Sequence, residues 1–194
     1  MRHRRDIRKA LGGYPKEIIL NDGTGVTIRP VTGGDARSLH DFFMRLTEDD
    51  RWFLNHDVRD LELIHGWVAE QDPDRVLSVV ALLQGRIIAN AVLMLKVYGA
   101  KSHIGKVRIC VDPGYRERRL GTWMLLDLHN LGMDLGLKRL TMQLVRDRDV
   151  SLIGAVGRLD FRQVAVLENY VLDRQGIAHD LVIMTKTLPE GPVR

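Results

Sequence analysis

The sequence predicts an α/β (α+β) fold, in which a mixed, mostly antiparallel sheet of about seven strands carries helices on both faces. One observation is the order of hydrophobic periods along the chain: strand, two helices, three strands, helix, strand, helix and two strands. A second is composition. Hydrophobic residues make up 45% of the 194 residues and charged residues 28%, which supports one buried core in a single globular domain.

The first strands form a predicted hairpin. The segments EIIL (17–20) and VTIR (26–29) flank Asp22 and Gly23, which together are a good turn signal. Pro30 closes the second strand.

The two ends of the chain are predicted to lie outside the domain, which spans 14–188. The first ten residues carry five basic side chains and one acid, so they alone account for the net charge of +4. Residues 1–13 are therefore predicted to be a disordered basic tail, and 189–194 a short C-terminal tail. Because the remaining body is close to neutral, a nucleic-acid-binding face across the fold is not expected, although the basic tail could contact anionic partners.

Two helices and a polar connection follow the hairpin. Apolar residues recur at three- and four-residue intervals over 35–46, with Asp35 near the helix start, and again over 61–71. The segment TEDDRWFLNHDVRD (47–60) between them is polar with embedded aromatic residues and is predicted to be a loop.

The second half of the chain alternates buried strands with two more helices. VLSVVALLQ and RIIANAVLMLK are predicted antiparallel strands, HIGKVRICV is a third, and KRLTMQLV follows the next helix. That helix, LGTWMLLDLHNLGMDLG, carries a leucine stripe and ends at Gly136. A helix over 150–159 and two strands joined around Gln175 and Gly176 complete the pattern.

The cysteine and histidine content excludes several classes of site. Cys110 is the single cysteine, so no intrachain disulfide can form, and no Cys/His cluster has metal-ligand spacing. The longest apolar runs are far shorter than a membrane span, and no signal-peptide pattern follows the basic start. We therefore expect a cytoplasmic protein without a metal.

Local physics makes an anion site plausible at 116–122. The strand VRICV leads into Asp112-Pro113-Gly114, and a helix begins near Leu120. The first amides of a helix have no intrahelical acceptor and point, with the positive end of the helix dipole, at whatever lies beyond them. Arginines stand here where phosphate loops commonly have glycines, so solvated surface arginines are the alternative interpretation.

The same segment, VRICVDPGYRERRLGTWML, the opening VTIRPVTGGDARSLHDFFMRL and the element order resemble the GNAT superfamily of N-acetyltransferases. The resemblance covers roughly 24–188 and is closest to protein-lysine acetyltransferase domains that act on acyl-CoA synthetases. The family signature is Gln or Arg, two residues, Gly, one residue, then Gly or Ala. It falls on Arg116, Arg119 and Gly121, and Arg119 departs from it.

The resemblance implies a binding site for acetyl-CoA as cosubstrate. Backbone amides of the loop would hold the pyrophosphate, and the edge of the strand 107–111 would hydrogen-bond the pantetheine arm where it splays from 138–145. Arg118 and Arg119 could contact the phosphates through their guanidinium groups. The implied coenzyme residues are Ile109, Cys110, Val111, Arg116, Arg118, Arg119, Leu120, Gly121 and Thr122.

The two side chains that commonly transfer protons in this family are absent. Lys106 stands at the position of the usual glutamate and Val156 at that of the usual tyrosine. His103 and Asp149 are the weak catalytic candidates, each with a bland alternative, a surface histidine and a helix cap. Cys110 is predicted to be a buried, inert thiol rather than a nucleophile.

Two functional hypotheses follow from the resemblance. The first is an acetyl-CoA-dependent N-acetyltransferase that transfers acetyl directly to an amine acceptor, a small molecule or a protein lysine. The second is a catalytically silent CoA-binding or interaction module of the same fold. An anion or nucleic-acid binder that uses the basic tail ranks third, and the sequence leaves a homodimer open.

Overall fold

The computed structural model describes residues 6–54, 56–70 and 72–189, and these form a mixed sheet with helices on both faces. The strands are β1 (Lys16–Ile19), β2 (Gly25–Pro30), β3 (Val76–Leu83), β4 (Arg86–Met94), β5 (Ile104–Val111), β6 (Arg139–Val145), β7 (Arg162–Leu172) and β8 (Ala178–Thr187). The helices are α1 (Ile7–Leu11), α2 (Ala36–Arg45), α3 (Glu48–Trp52), α4 (Leu61–Ala69), α5 (Leu120–Asp134) and α6 (Val150–Gly157).

The described strands lie in one eight-stranded sheet with the order β1-β2-β3-β4-β5-β6-β8-β7. Every neighbouring pair is antiparallel except β5 and β6, which are parallel. The predicted fold class is confirmed. The sequence predicted about seven strands, and the count is one higher because both strands of the N-terminal hairpin join the sheet.

Side chains alternate across the strands and give the sheet two apolar faces. The face that we call the α5 face packs against α5, whose Met124, Leu128 and Leu131 are at most 1% exposed. The opposite α2 face is covered by α2 and α4, through buried residues that include Phe42 and Ile64. Burial of these apolar side chains is what fixes the sheet between its helices.

The parallel strands β5 and β6 part in the middle of the sheet. They pair only from Ile104 with Arg139 to Lys106 with Thr141, although β5 continues to Val111. A Cβ added at Gly105 would lie 2.6 Å from Leu93 Cδ1, so any larger residue at this vertex would force the surrounding leucine side chains to move. The predicted splay is therefore present, and it opens toward the C-terminal ends of both strands.

The N-terminal segment is more ordered than its charge suggested. Ile7–Leu11 form a helix whose Ala10 is buried, and the Asp6 side chain accepts a hydrogen bond from the Lys9 amide at 3.0 Å. The disorder predicted for 1–13 is therefore wrong for 7–11, because a short apolar face packs against α5. Residues 1–5, like 190–194 of the predicted C-terminal tail, lie outside the described residues.

A buried carboxylate ties this segment to α5. Asp127 is 5% exposed and accepts hydrogen bonds from Tyr14 Oη and, at 2.7 Å, from Lys16 Nζ. Desolvation, followed by the Asp127 carboxylate, raises the pKa of Tyr14 well above its usual range. The N-terminal segment is thus part of the domain.

The polar segment 47–60 also differs from the prediction, since it contains α3. Thr47 and Asp50 form a capping box, in which each side chain accepts a hydrogen bond from the other residue's amide. The capping box stabilises α3, which the scattered aromatic residues of this segment did not predict. No helix in the described part of the chain is long and apolar enough to cross a membrane.

Candidate active site

The loop after β5 is anchored at its base by a buried carboxylate. Asp112 is 5% exposed and accepts hydrogen bonds from Arg45 Nε at 2.7 Å and from the Gly114 amide at 3.0 Å. Burial alone would raise the pKa of Asp112, but the hydrogen bonds from Arg45 and Gly114 outweigh it and lower the pKa. Because Arg45 belongs to α2 and also donates to the Ile87 carbonyl, the loop base is fixed to both α2 and β4.

The loop keeps a left-handed path without glycine. Glu117 has φ 63° and Arg119 has φ 64°, in the region that L-residues other than glycine rarely adopt. A residue that replaces the signature glycine must either adopt such a conformation or alter the path of the loop, and Arg119 adopts the conformation. α5 begins at the next residue, Leu120, as predicted.

The first turn of α5 presents open backbone. A Cβ added at Gly121 would make only an ordinary contact with Val111 Cγ2, at 3.7 Å. Packing within the protein therefore does not require glycine there. The missing side chain leaves the first-turn amides accessible to a ligand, and Thr122 follows on the same turn.

The three arginines of the loop differ in their partners. Arg116 donates to the Val111 carbonyl at 3.2 Å and to Asp50 at 2.5 Å. Arg118 donates to Asp22 of the β1–β2 turn at 2.8 Å. The Arg119 side chain is exposed and makes no hydrogen bond or ion pair with any residue that the structure describes, although its carbonyl accepts from the Trp123 amide at 3.0 Å. Its guanidinium is thus available to an anion at the start of α5.

The predicted pantetheine edge lies on the open side of the splay. β5 pairs with β4 from Lys106 to Val111, but among the described strands it has no partner on the β6 side beyond Lys106. Ile109, Cys110 and Val111 lie within this unpaired stretch. Burial raises the pKa of Cys110 to about 11, which agrees with an inert thiol.

Polar side chains line the splay on the α2 face. Odd-numbered residues of 107–111 pack in the core of the α5 face, so Lys106 and Arg108 point to the α2 face. Lys106 Nζ donates to Gln143 Oε1 of β6 at 2.6 Å, and Arg108 donates to the Leu54 carbonyl. β5 itself contributes no carboxylate to this face.

The helix α3 lies across the mouth of the splay. Asp50 accepts from Arg116 beyond β5 and from Arg148 beyond β6, so one carboxylate bridges both sides. Burial would raise the pKa of Asp50, but the hydrogen bond from Arg116 and its other partners lower it. Trp52 Nε1 donates to the Leu172 carbonyl at 2.8 Å, which holds α3 to the end of β7.

The weak catalytic candidates from the sequence are not brought together. His103 is exposed in the turn before β5, eight residues from Val111, which corresponds to about 26 Å along a strand. It lies three residues before Lys106, about 10 Å along the strand from the vertex of the splay. Asp149 lies at the open end, where its carboxylate accepts from the Val145 amide at 2.8 Å and from Arg148 at 2.9 Å. Val156 is 1% exposed and belongs to the core.

A histidine that the sequence did not single out lies at the open end as well. His179 Nε2 lies 3.2 Å from Asp173 Oδ2, and its Nδ1 lies 3.7 Å from Asp147 Oδ2. Burial would raise the pKa of Asp173, but the Ile177 amide and His179 lower it. No motif spacing signals this pair, because the β7–β8 turn brings its members together. No group of described residues could hold a metal ion.

Comparison with known proteins identifies the fold. No protein-family model and no curated protein matches the chain. Among solved structures, the chain is similar to the GNAT domain of S. lividans PAT, at 17% identity and a TM-score of 0.73, over 90% of this chain and 97% of that one. It is also similar to a ribosomal-protein-S18-alanine N-acetyltransferase from Escherichia coli, at 18% identity and a TM-score of 0.67, over 86% and 96% of the two chains. A phosphinothricin acetyltransferase from Sinorhizobium meliloti, solved in complex with AcCoA, matches at 18% identity and a TM-score of 0.71, over 86% and 90%. The chain therefore has the fold of the GNAT acetyltransferases.

Proposed function

We propose that the protein is an acetyl-CoA-dependent N-acetyltransferase that transfers acetyl directly to an amine. The observation that carries the proposal is the loop before α5. Arg119 holds a left-handed backbone conformation at the N-terminus of a 15-residue helix, beside the unpaired edge of β5. Strained backbone of this kind is kept where a function requires the path, and one of the similar structures, the phosphinothricin acetyltransferase, was solved with acetyl-CoA.

The dimensions of the splay fit the coenzyme. The amides of 116–122 and the Arg119 guanidinium would hold the pyrophosphate, and the edge of 107–111 would hydrogen-bond the pantetheine arm. From Val111 down to Lys106 the strand spans about 17 Å, a length comparable to an extended pantetheine arm. The thioester would then lie near the vertex of the splay.

An acceptor reaches this vertex from the α2 face. On the α5 face the side chains beside the splay are buried in the core, as Val107 and Leu144 show. On the α2 face, Lys106, Arg108 and Gln143 are polar and at least partly exposed. Resemblance in sequence makes a protein lysine one candidate acceptor, and small amines are another.

When bound, acetyl-CoA supplies an acetyl group activated as a thioester. The neutral amine forms the new C–N bond, the C–S bond breaks, and the amine proton must leave. No carboxylate of β5 can take that proton, so positioning on the strand edge would supply much of the rate. In the net reaction, the departing CoA thiolate takes up the proton that the amine loses, so the reaction balances without another acceptor.

A titration tests the proposal directly. Calorimetry at low salt with CoA and acetyl-CoA is expected to show binding, and mass spectrometry of amine acceptors incubated with acetyl-CoA is expected to show mass gains of one acetyl group. An absence of heat up to millimolar coenzyme refutes the proposal.

The second candidate function is a catalytically silent CoA-binding module. Lys106 and Val156 favour it, because they stand where relatives of this fold commonly carry proton-transfer side chains. Binding of CoA together with no acetylation of any amine, including the protein's own lysines, would select this function.

A further inference from the structure

Two cations on β5 stand out beside the proposed acetyl position. Lys106 and Arg108 are two residues apart on one strand, so both side chains point to the α2 face, about 7 Å apart along the strand. Lys106 hydrogen-bonds the neutral Gln143 and Arg108 hydrogen-bonds a backbone carbonyl. Neither forms an ion pair with any of the residues in 6–54, 56–70 or 72–189.

The neighbouring arginines show that this is not a general property of the cleft. Arg116 and Arg148 both form ion pairs with Asp50, and Arg148 forms a second one with Asp149 at 2.9 Å. Carboxylates therefore accompany the cations at the mouth of the splay but not those at its vertex.

The positive charge at the vertex affects the pKa of a side chain of the protein itself. Burial, followed by the positive charge of Arg108, lowers the pKa of Lys106. An uncompensated positive potential thus already acts on one amine at this place. A protonated acceptor amine that arrived there alone would meet the same repulsion.

These cations do not serve the coenzyme phosphates. The phosphate loop begins at Arg116, beyond the far end of β5, whereas Lys106 lies about 17 Å below Val111. The pantetheine arm is uncharged. The partner that complements the two cations must therefore come from the acceptor.

We propose that Lys106 and Arg108 bind a carboxylate of the acceptor, so that the substrate is an amine carrying a carboxylate close to the reacting nitrogen. This inference rests on the proposed acetyltransferase function and names its substrate class. A free amino acid and an amine of a peptide flanked by acidic residues share this chemistry. The carboxylate forms charge-assisted hydrogen bonds to both cations, and the remaining positive potential favours the neutral, nucleophilic form of the amine.

Matched acceptor pairs test the inference. L-amino acids are compared with their α-amides, and a peptide whose lysine is flanked by glutamates with the same peptide carrying glutamines. We expect kcat/KM to favour the carboxylate member of the productive pair by at least about tenfold, the lower range for a hydrogen bond to a charged group. Which pair is productive distinguishes the free amino acid from the peptide.

Three variants test whether Lys106 causes the preference for the carboxylate acceptor. Lys106→Gln removes the charge and keeps an amide that can bond Gln143, and it is expected to reduce the preference to less than about threefold. Lys106→Arg is expected to retain it. Lys101→Gln removes one positive charge from the exposed turn that precedes β5, and it is expected to leave the preference unchanged.

A second readout does not depend on turnover. N-hydroxysuccinimidyl acetate acetylates accessible neutral amines, and mass spectrometry follows its reaction at Lys106. The carboxylate acceptor is expected to slow this reaction, and its amide is not.

The outcomes separate the inference from the function on which it rests. Equal rates for carboxylate and amide acceptors, or a preference that survives in the double variant Lys106→Gln with Arg108→Gln, overturn the inference and leave the acetyltransferase proposal standing. If calorimetry shows no coenzyme binding, the proposed function fails. Equal protection of Lys106 by both members of a pair overturns the carboxylate site in either case.

Discussion

Replacing Arg119 separates the backbone strain of the coenzyme loop from its charge. The residue has φ 64° and ψ 8°, a conformation that costs a non-glycine residue about 1–2 kcal/mol. Glycine removes that cost but adds about 0.5–1 kcal/mol of chain entropy in the unfolded state. Arg119→Gly is therefore expected to raise the free energy of unfolding by about 0.5–1 kcal/mol, or the melting temperature by about 1–4 °C.

The Arg119 side chain is expected to strengthen coenzyme binding, although the backbone conformation of the same residue destabilises the fold. Because Arg119 is exposed and forms no ion pair with the described residues, its guanidinium can contact a phosphate without losing an internal partner. A hydrogen bond to a charged group contributes about 1.5–3 kcal/mol, so Arg119→Ala is expected to weaken CoA binding by roughly tenfold or more. The dependence of the dissociation constant on salt should flatten in parallel.

Three variants measured together make the reasoning refutable. Urea unfolding is expected to show Arg119→Gly as more stable than the parent. Arg119→Ala and Arg119→Lys are expected to be about as stable as the parent, since both keep a side chain on a residue whose backbone is left-handed. Calorimetry is expected to show weaker CoA binding in the glycine and alanine variants and near-parental binding in Arg119→Lys. Tighter binding by Arg119→Ala would mean that the arginine obstructs the loop, and the charge argument would then be wrong.

Two other positions give independent tests. Gly105→Ala places a Cβ 2.6 Å and 2.8 Å from two leucine side chains, so urea unfolding is expected to show a free energy of unfolding lower by about 1–3 kcal/mol. Gly157→Ala is the control, because a Cβ there meets nothing within 4 Å. Burial raises the pKa of Cys110 to about 11 from an ordinary 9.0, so its reaction with a thiol reagent at pH 8 is expected to be roughly 100-fold slower than that of a free thiol. The rate is expected to rise with pH up to about pH 11. A rate at pH 8 near that of the free thiol contradicts this prediction.

The sheet and its two long helices could be predicted because their signals are local. Strand and helix periods are properties of short segments, and the leucine stripe of α5 is visible without any tertiary information. The start of α5 at Leu120 followed from the turn residues Asp112 to Gly114 before it. The left-handed backbone at Arg119 was also within reach, since it is one of two ways in which a non-glycine residue can replace the signature glycine.

The parts that were missed depend on contacts distant in sequence. The helix at Ile7–Leu11 forms because its apolar side packs against α5, whereas the sequence showed mainly its charge. His179 meets Asp173 and Asp147 only after the β7–β8 turn and the end of β6 are placed beside each other.

The partners of the loop arginines determine how each can serve a phosphate. Arg116 ties the loop to both β5 and α3, and a phosphate that took its guanidinium would have to displace Asp50, whose pKa is lowered and which therefore stays charged to low pH. Arg118 is held by Asp22 in a pair about 40% and 35% exposed, and such pairs are worth at most about 1 kcal/mol, so it can be released cheaply. Arg119 has no such partner among the described residues. Replacement of the signature glycine thus strains the loop at a position where an added cation can reach the proposed coenzyme site without losing another contact. Loss of that cation is therefore expected to weaken CoA binding more than loss of Arg118.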